Sequence, residues 1–222
     1  MWKILERAKN EGRNVLTIEE CFKIFKKYEI RAAKTIFVKN MKEALSAAKK
    51  IGYPVVLKIS SRQILHKTDI GAVITNINSK SELVEGYAQI MRKVDKEKID
   101  KIVVQKMIKN GMEIIIGGKE DYQFGKILMF GLGGIFSEIL NDVVFRTVPL
   151  SKYEAEKMIK EIKNYKVLEN YRGKSYDINS LIDILIKVSK LLEENEWIKE
   201  LDMNPVIVLS KNAFVVDGRI IF

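Results

Sequence analysis

A single histidine, His66, lies in a polar stretch of the chain between two apolar runs. The run Val55–Leu57 precedes it, and a second apolar run follows Gly71. This pattern predicts a loop between two strands, carrying an imidazole that can act as a nucleophile at neutral pH. A loop allows a reactive group both to move and to be reached. Taken alone, the pattern favours an ordinary surface histidine, so its meaning depends on the rest of the chain.

Several polar residues interrupt apolar runs that are typical of strands. They are Lys58, Gln105, Lys106, Glu113, Glu138, Asp202, Asn204 and Asp217. Each has an ordinary explanation by itself, because lysines at strand ends often lie at the surface and Asp or Asn often forms a turn. Their order along the chain is more informative, because residues of these types in this order can provide each group that an ATP site requires. A lysine can neutralise the phosphates, hinge backbone groups can bind the adenine edge, a carboxylate can hold the ribose, and oxygen ligands can hold Mg²⁺.

The elements that must position these residues follow from hydrophobic spacing and capping signals. Helices are predicted at 16–28, 42–51, 81–94, 151–165 and 178–194. Strands are predicted at 35–38, 55–60, 72–77, 101–108, 112–117, 126–130, 198–209 and 213–222, with a hairpin of 135–140 and 143–148 across Asn141-Asp142. Elements alternate in the first half and strands cluster in the second. This predicts an α+β fold of two lobes, residues 1–104 and 105–222, with a histidine loop at 60–71.

The composition excludes several classes of protein. The chain has 222 residues, of which 47% are hydrophobic and 31% charged, as in a globular domain. It contains no run of about 20 apolar residues, and its charged start predicts no signal peptide. One cysteine excludes an internal disulfide, so the cytoplasm is the expected compartment. The net charge of +10 is spread as lysines interleaved with glutamates, which indicates a solvated surface that favours polyanions such as nucleotides, without a specific nucleic-acid site.

Three segments together resemble a known family. They are ILHKTDIGAV at 64–73, GLGGIFSEILNDVVFR at 131–146, and ELDMNPVIV at 200–208 followed by VVDGRI at 215–220. The chain resembles the β subunit of the ADP-forming acyl-CoA (acetyl-CoA) synthetases, which are ATP-grasp proteins, and more distantly the succinyl-CoA synthetase β subunit. The resemblance implies an ATP-grasp fold, with ATP or ADP and Mg²⁺ held between two lobes. It also implies an α subunit that binds CoA, an α2β2 heterotetramer, and the reversible reaction of acyl-CoA, ADP and phosphate to acid, ATP and CoA.

The resemblance also assigns roles to individual residues. His66 would relay a phosphoryl group to ADP, Lys58 would bind phosphate, and Asn204 and Asp217 would hold Mg²⁺. Nucleotide contacts are expected from Gln105, Lys106, Met107, Ile108, Glu113 and Arg146. Gln105 stands where the succinyl relatives carry a glutamate, so a contact with adenine or ribose at that position does not follow directly. The resemblance leaves open the roles of Lys67, Asp69, Glu138, Asp142 and Asp202.

Two alternatives stay open on the sequence alone. An ATP-grasp carboxylate–amine ligase forms a free acyl phosphate and needs no histidine loop. A basic, non-catalytic module would bind RNA with a strong dependence on salt. If the mechanism uses two phosphohistidines, a partner chain must supply the second, because this chain contains only His66. The chain also lacks a Gly-x-Gly-x-x-Gly pattern after a strand, so it shows no sign of a dinucleotide or CoA lobe.

Overall fold

The computed structural model describes residues 1–62, 71–134, 142–170 and 173–222. The chain divides into two compact units. The smaller unit comprises Ala33–Lys109, and the larger unit comprises Met1–Ala32 together with Asn110–Phe222. The sequence placed residues 1–104 in one lobe, but the first 32 residues pack with the C-terminal half of the chain. The smaller unit is therefore an insertion between two parts of the larger one.

The elements agree closely with the predicted spacing. The helices are α1 (Trp2–Asn10), α2 (Ile18–Lys27), α3 (Met41–Ile51), α4 (Lys80–Lys93), α5 (Lys152–Lys160), α6 (Lys166–Glu169) and α7 (Ile178–Glu193), with a 3₁₀ turn at Lys96–Lys98. The strands are β1 (Thr35–Val38), β2 (Val55–Ser60), β3 (Val73–Ile77), β4 (Lys101–Lys106), β5 (Met112–Asp121), β6 (Gly125–Leu132), β7 (Val143–Thr147), β8 (Glu200–Val208), β9 (Ala213–Val215) and β10 (Arg219–Ile221). No helix in the described part of the chain is long and apolar enough to span a membrane.

The smaller unit is a four-stranded antiparallel sheet in the order β1-β4-β2-β3. Helices α3 and α4 contact this sheet, and their apolar side chains form a core with Val55, Leu57 and Ile59 of β2. Because side chains alternate along a strand, Val56 and Lys58 lie on the opposite face of the sheet. All six residues of β2 are buried, which fits a strand with a neighbour on each side.

The larger unit is built on a six-stranded sheet in the order β10-β8-β5-β6-β7, with β9 also paired to β8. Helices α2, α5 and α7 contact this sheet. The apolar side chains of the helices and of one sheet face form a single core, which includes Phe25, Ile114, Phe130, Leu185 and Met203. The sequence did not predict α1, but its buried Leu5 and Ala8 are three residues apart and therefore lie on one side of that helix.

Capping residues explain where the helices begin. Thr17 and Glu20 form a reciprocal capping box at the start of α2, and Ser151 and Glu154 form another at the start of α5. The Thr17 cap was predicted and is confirmed. Several predicted elements are shorter than expected. Helix α5 ends at Lys160, β4 ends at Lys106, β8 covers only Glu200–Val208, and the strand predicted at 213–222 is divided into β9 and β10.

The predicted hairpin at 135–148 is only partly described, since residues 135–141 lie outside the described part of the chain. Its second strand is confirmed as β7, which pairs with β6 in the register Gly131 with Val143. Asp142 is only 5% exposed. Its carboxylate accepts hydrogen bonds from the backbone N–H groups of Lys163 and Asn164, each at 2.9 Å. Burial alone would raise the pKa of Asp142, but these hydrogen bonds lower it below its usual value. Asp142 therefore fastens the start of β7 to the turn after α5.

A buried ion cluster holds α1 against α2. The carboxylate of Glu20 is 1% exposed, and it accepts hydrogen bonds from Arg13 at 3.0 and 3.1 Å and from Arg7. Its Oε2 atom also accepts the Thr17 backbone N–H at 2.8 Å. Burial alone would raise the pKa of Glu20, but the bonds from Arg13, Arg7 and Thr17 together lower it from 4.5 to about 2.

Glu20 is expected to make stability depend on pH. Because its folded-state pKa is lowered, its contribution is complete above pH 4.5 and is lost as the pH falls toward 2. That shift corresponds to about 3 kcal/mol at roughly 1.4 kcal/mol per pH unit. Glu20→Gln should lower the free energy of unfolding by about this amount at pH 7, as measured by urea denaturation. The difference from wild type should shrink below pH 4. Glu19→Gln, at a partly exposed neighbour that pairs with Lys23 on the surface of α2, should change stability little. An equal loss in both variants would contradict the assignment.

The two ends of the chain meet at one corner of the larger unit. Leu16 N–H donates to Ile220 O at 2.9 Å, and Phe222 N–H donates to Asn14 O at 2.9 Å. The ring of Phe222 packs edge-on against Trp197, with 6.3 Å between the ring centroids. Trp197 also lines a cavity of about 340 Å³ together with Met1 and Trp2. The first and last residues of the chain therefore both lie beside Trp197.

Candidate functional site

Asn204 and Asp217, the two predicted Mg²⁺ ligands, are brought together by strand register. On one side of them Val206 pairs with Val215, and on the other side Asp202 pairs with Arg219. Both pairings have the same register, so Asn204 lies directly opposite Asp217. The Val216 N–H donates to Pro205 O at 3.1 Å, which joins the two segments at this point. Directly opposed residues in an antiparallel pair have Cβ atoms about 5 Å apart, so both side chains can reach one ion.

A third oxygen-bearing side chain, Asp202, lies on the same face of β8. Met203 and Val206 are fully buried in the core, whereas Asp202 and Asn204 point to the other face. Burial is the main cause that raises the pKa of Asp202 above its usual value, and the negative charge of Asp217 raises it further. The positive charge of Arg219 lowers the pKa of Asp202, but not enough to cancel this increase. The shift records two carboxylates close enough to repel, and a divalent cation would relieve that repulsion.

These residues fit a magnesium ion that is shared with a nucleotide. Among the described residues, no group of three or more His, Cys, Asp or Glu side chains is placed to hold a metal by itself. Mg²⁺ at nucleotide sites commonly takes only one or two carboxylates and completes its shell with phosphate oxygens and water. The pair Asn204 and Asp217, with Asp202 beside it, provides that kind of incomplete oxygen shell.

Glu113 lies on the same face of the larger sheet as Asn204, against Gly133 and Gly134, which follow β6. The Gly133 N–H donates to Glu113 O at 2.7 Å. A Cβ atom added to Gly133 would lie 3.0 Å from the Glu113 carbonyl carbon, and one added to Gly134 would lie 2.8 Å from Glu113 Oε2. Gly134 also has a φ of +59°. Side chains at these positions would displace the Glu113 carboxylate, so the loop requires glycine here for close approach.

The smaller unit positions Lys58 and Gln105 on one face of its sheet. Gln105 of β4 lies directly opposite Val56 of β2, and Val56 is two residues before Lys58. Lys58 and Gln105 therefore share the sheet face that points away from α3 and α4. Lys58 is only 4% exposed, and the Gln105 amide donates to Thr35 Oγ1 at 2.9 Å. Because burying an ammonium group is costly, a lysine in the centre of a sheet face indicates a purpose beyond surface solubility.

Residues 106–108 have a distinctive pattern of used and unused backbone groups. The Lys106 N–H donates to Lys34 O at 2.8 Å, and the Met107 N–H donates to Pro54 O at 3.1 Å. Within the described residues, no backbone hydrogen bond outside the strand ladders involves the Lys106 carbonyl or the Ile108 N–H. The Lys106 ammonium donates to the carbonyls of the segment after α3, Gly52 at 2.8 Å and Tyr53 at 3.0 Å. The side chain of Lys106 is therefore used within the fold.

Arg146 is not brought together with the other predicted residues of the larger unit. It pairs with Leu128, a core residue, and therefore lies on the helix-covered face of the sheet. Its guanidinium donates to Glu161 at the end of α5 and to Phe145 O at 2.8 Å. Glu113 and Asn204 lie on the opposite face. The ion pair with Glu161 accounts for Arg146 without a phosphate.

His66 and its neighbours Lys67 and Asp69 lie outside the described residues, as does Glu138. The two ends of the histidine loop are described. Arg62 precedes the undescribed residues, and Gly71, with a φ of +67°, follows them. Sequence reasoning did not single out Asp100, whose carboxylate binds Arg62. No pattern in the sequence marks such a pair, because the two residues are 38 positions apart.

Comparison with known proteins supplies the family. The model of the ATP-grasp domain matches residues 7–222. The β subunit of ADP-forming acetate–CoA ligase II from Pyrococcus furiosus is 44% identical over 227 aligned positions, covering 99% of this chain and 96% of that protein. ADP-forming acetate–CoA ligase II from Archaeoglobus fulgidus is 42% identical over 89% of this chain, which spans only 29% of that protein's length.

Solved structures agree with this match. The dinucleotide forming acetyl-coenzyme A synthetase 1 of Candidatus Korarchaeum cryptofilum, in complex with coenzyme A and Ca-AMPCP, superposes with a TM-score of 0.95 and 42% identity, covering 99% of this chain and 98% of that one. The same protein is described with Mg-AMPPCP and its phosphohistidine segment pointing towards the nucleotide binding site. The predicted α+β, ATP-grasp fold is thereby confirmed. The chain belongs to the ATP-grasp family, within the group that contains the β subunits of the ADP-forming acetate–CoA ligases.

Proposed function

We propose that this chain is the nucleotide-binding β subunit of an ADP-forming acyl-CoA ligase and that it transfers a phosphoryl group through His66 to ADP. The observation that carries the proposal is the opposed pair Asn204 and Asp217, on the sheet face that also holds Glu113. This pair provides an incomplete Mg²⁺ shell in a chain that matches a β subunit of this enzyme class over nearly its whole length.

Each residue has one role in this scheme. Lys58 neutralises the nucleotide phosphates, Glu113 holds the nucleotide, and Asn204 and Asp217 hold Mg²⁺, which compensates the phosphate charge during transfer. An imidazole nitrogen of His66 forms a P–N bond when it attacks the phosphoryl group presented at the partner's site. The bond from phosphorus to the partner's donor group, an acyl phosphate oxygen or the nitrogen of a second phosphohistidine, breaks in the same step. That bond breaks when a terminal phosphate oxygen of ADP attacks phosphorus, giving ATP and neutral histidine. The relative from K. cryptofilum is described with its phosphohistidine segment in two orientations, which supports a segment that travels between sites.

The finer features of the proposal follow the same relatives. The P. furiosus relatives are named as subunit β, which implies an α partner. We assign CoA binding, acyl phosphate chemistry and the choice of acyl group to that partner, in an α2β2 assembly in the cytoplasm. The match to β subunits of ADP-forming acetate–CoA ligases favours this function over a carboxylate–amine ligase. The Mg²⁺-type oxygen pair favours it over an RNA-binding module.

The experiment that tests the function is phosphate labelling of the complex with its α subunit. With labelled phosphate and acyl-CoA, this chain should acquire a label that is stable to base and labile to acid, as a phosphohistidine is. Addition of MgADP should move the label into ATP. A complex that makes ATP without ever labelling this chain would overturn the relay.

The backbone of residues 106–108 predicts a preference for adenine over guanine. A carbonyl at Lys106 accepts from the N6 amine of adenine, and the N–H at Ile108 donates to N1. Guanine presents the reverse polarity at these atoms, an acceptor at O6 and a donor at N1. We expect the KM for ADP to be lower than that for GDP by at least about tenfold, because a mispaired polar edge costs roughly 1–3 kcal/mol.

Variants at position 108 test whether this backbone pattern is the cause. Ile108→Pro removes the N–H and should weaken ADP binding more than GDP binding, whereas Ile108→Val keeps the N–H and should bind like wild type. Binding of each nucleotide is measured by calorimetry. Equal affinities of the wild-type chain for ADP and GDP would contradict the assignment.

A further inference from the structure

Asp100 binds Arg62, the last described residue before His66 in the histidine loop. Its Oδ2 atom accepts the backbone N–H of Arg62 at 2.7 Å, and its Oδ1 atom accepts Arg62 Nε at 2.7 Å. Asp100 is itself fixed, because its own N–H donates to Ser60 O at 3.0 Å and the next residue is the first of β4. One carboxylate therefore binds both the main chain and the side chain of Arg62, which fixes its position and its direction.

The other end of the segment is also fastened to the smaller unit. Ala72 is fully buried, and its carbonyl accepts the Ile59 N–H at 3.3 Å. The side chain of Lys93, at the end of α4, covers Gly71, since an added Cβ there would lie 2.7 Å from Lys93 Nζ and 3.3 Å from Lys93 Cδ. A residue with a side chain at position 71 would have to displace that lysine and adopt a strained positive φ.

These two anchors, at Arg62 and Gly71, lie on either side of His66 in the sequence. His66 is four residues after Arg62 and five before Gly71, so it lies near the middle of the tethered span. Since the backbone spans at most about 3.4 Å per residue, covalent geometry limits the His66 Cα to within about 14 Å of the Arg62 Cα and about 17 Å of the Gly71 Cα. Arg62 is the last described residue before His66, and its two bonds to Asp100 fix its main chain and its side chain at that point.

We propose that Asp100 is a positioning residue for the phosphoryl relay. The inference rests on the proposed function, because it concerns how His66 is delivered to its two sites. By fixing the main chain and the guanidinium of Arg62, Asp100 sets the origin and direction of the span that carries His66. It touches neither nucleotide nor the reacting phosphorus.

Asp100→Ala in the complex with the α subunit is expected to slow transfer of label from His66 to ADP by roughly fivefold. The lost orientation of Arg62 accounts for that loss, because the span that carries His66 then starts in a less defined direction. The KM for ADP should stay within about twofold of wild type, because the variant leaves the nucleotide residues intact. The rate is measured in a single turnover by rapid quench after labelling, and the KM in the steady state.

Two further variants separate positioning from a general loss of stability. Asp100→Asn still accepts the Arg62 N–H but no longer matches the guanidinium charge, so its rate should lie between those of wild type and Asp100→Ala. Glu43→Ala removes a carboxylate that likewise accepts a backbone N–H, from Lys39 at 2.9 Å, at the start of α3 in the same unit. This control should transfer phosphate at the wild-type rate.

The outcomes distinguish the inference from the function on which it rests. A wild-type complex that never labels His66 overturns the proposed function and the inference together. A labelled wild type, with Asp100→Ala transferring at the same rate, overturns the inference alone. An Asp100→Ala variant that raises the KM for ADP as much as it lowers the rate also overturns it, because positioning of His66 would not change ADP binding. If that variant does not fold, Asp100→Asn decides, and wild-type transfer by it counts against the inference.

Discussion

Replacing His66 by asparagine is expected to lower ATP formation by the complex with its α subunit by about 10⁴-fold or more. Asparagine is similar in size and keeps hydrogen-bonding groups, but its amide cannot form the P–N bond that carries the phosphoryl group. Because this chain has no other histidine, no neighbouring group of the same kind can substitute within it. The measurement is ATP produced from acyl-CoA, ADP and phosphate, together with the label retained on this chain.

Binding measurements make the His66 result specific. The variant should bind MgADP with wild-type affinity and unfold at the wild-type temperature, since no nucleotide contact has been removed. Loss of activity together with nucleotide binding would indicate damage to the fold. Label that stays on this chain after the substitution, or activity above about a tenth of wild type, would end the relay hypothesis.

Asp217→Asn is expected to lower kcat/KM for MgADP by roughly 10²- to 10³-fold, because it removes the carboxylate from the opposed pair with Asn204. This loss corresponds to about 3–4 kcal/mol at about 1.4 kcal/mol per tenfold. The Mg²⁺ concentration that gives half-maximal nucleotide binding should rise, and calorimetry at a series of Mg²⁺ concentrations measures this without turnover. Asp183→Asn, an exposed α7 carboxylate paired with Lys187, is the matched control and should leave that concentration unchanged.

The same variant has a second, independent readout. Since the charge of Asp217 helps to raise the pKa of Asp202, removing that charge should lower the pKa of Asp202 toward its usual value. A carboxyl titration followed by NMR would detect the change. An unchanged Mg²⁺ requirement combined with an unchanged Asp202 titration would show that Asp217 is not part of a metal site.

Much of this architecture follows from local sequence signals. The run at Val55–Ser60 predicts a strand with both ends correct, and Thr17 with Glu20 marks the beginning of α2. Alternation along β8 also places Asp202 and Asn204 on one face, although the sequence analysis left the role of Asp202 open. These features depend on residues close together in the chain, for which spacing and capping are sufficient evidence.

Features that depend on distant residues could not be obtained in this way. Arg146 resembles a phosphate ligand in its motif, but pairing with Leu128 turns it to the helix-covered face, where it binds Glu161. The hydrogen bond from Arg62 to Asp100 depends equally on how the strands align. The same is true of the bonds that Lys106 N–H donates to Lys34 O and Met107 N–H donates to Pro54 O. Strand register is set by the packing of the whole sheet, and a shift of one residue reverses every side chain.

The meeting of the chain ends beside Trp197 bears on how such proteins can be joined to their partners. A polypeptide attached before Met1 or after Phe222 would leave the larger unit from the same corner, beside Trp197. Fusion at either terminus would therefore present an added domain from one common point. This chain matches less than a third of the A. fulgidus relative but 96% of the P. furiosus β subunit, so related sequences occur both within a longer polypeptide and as a separate chain.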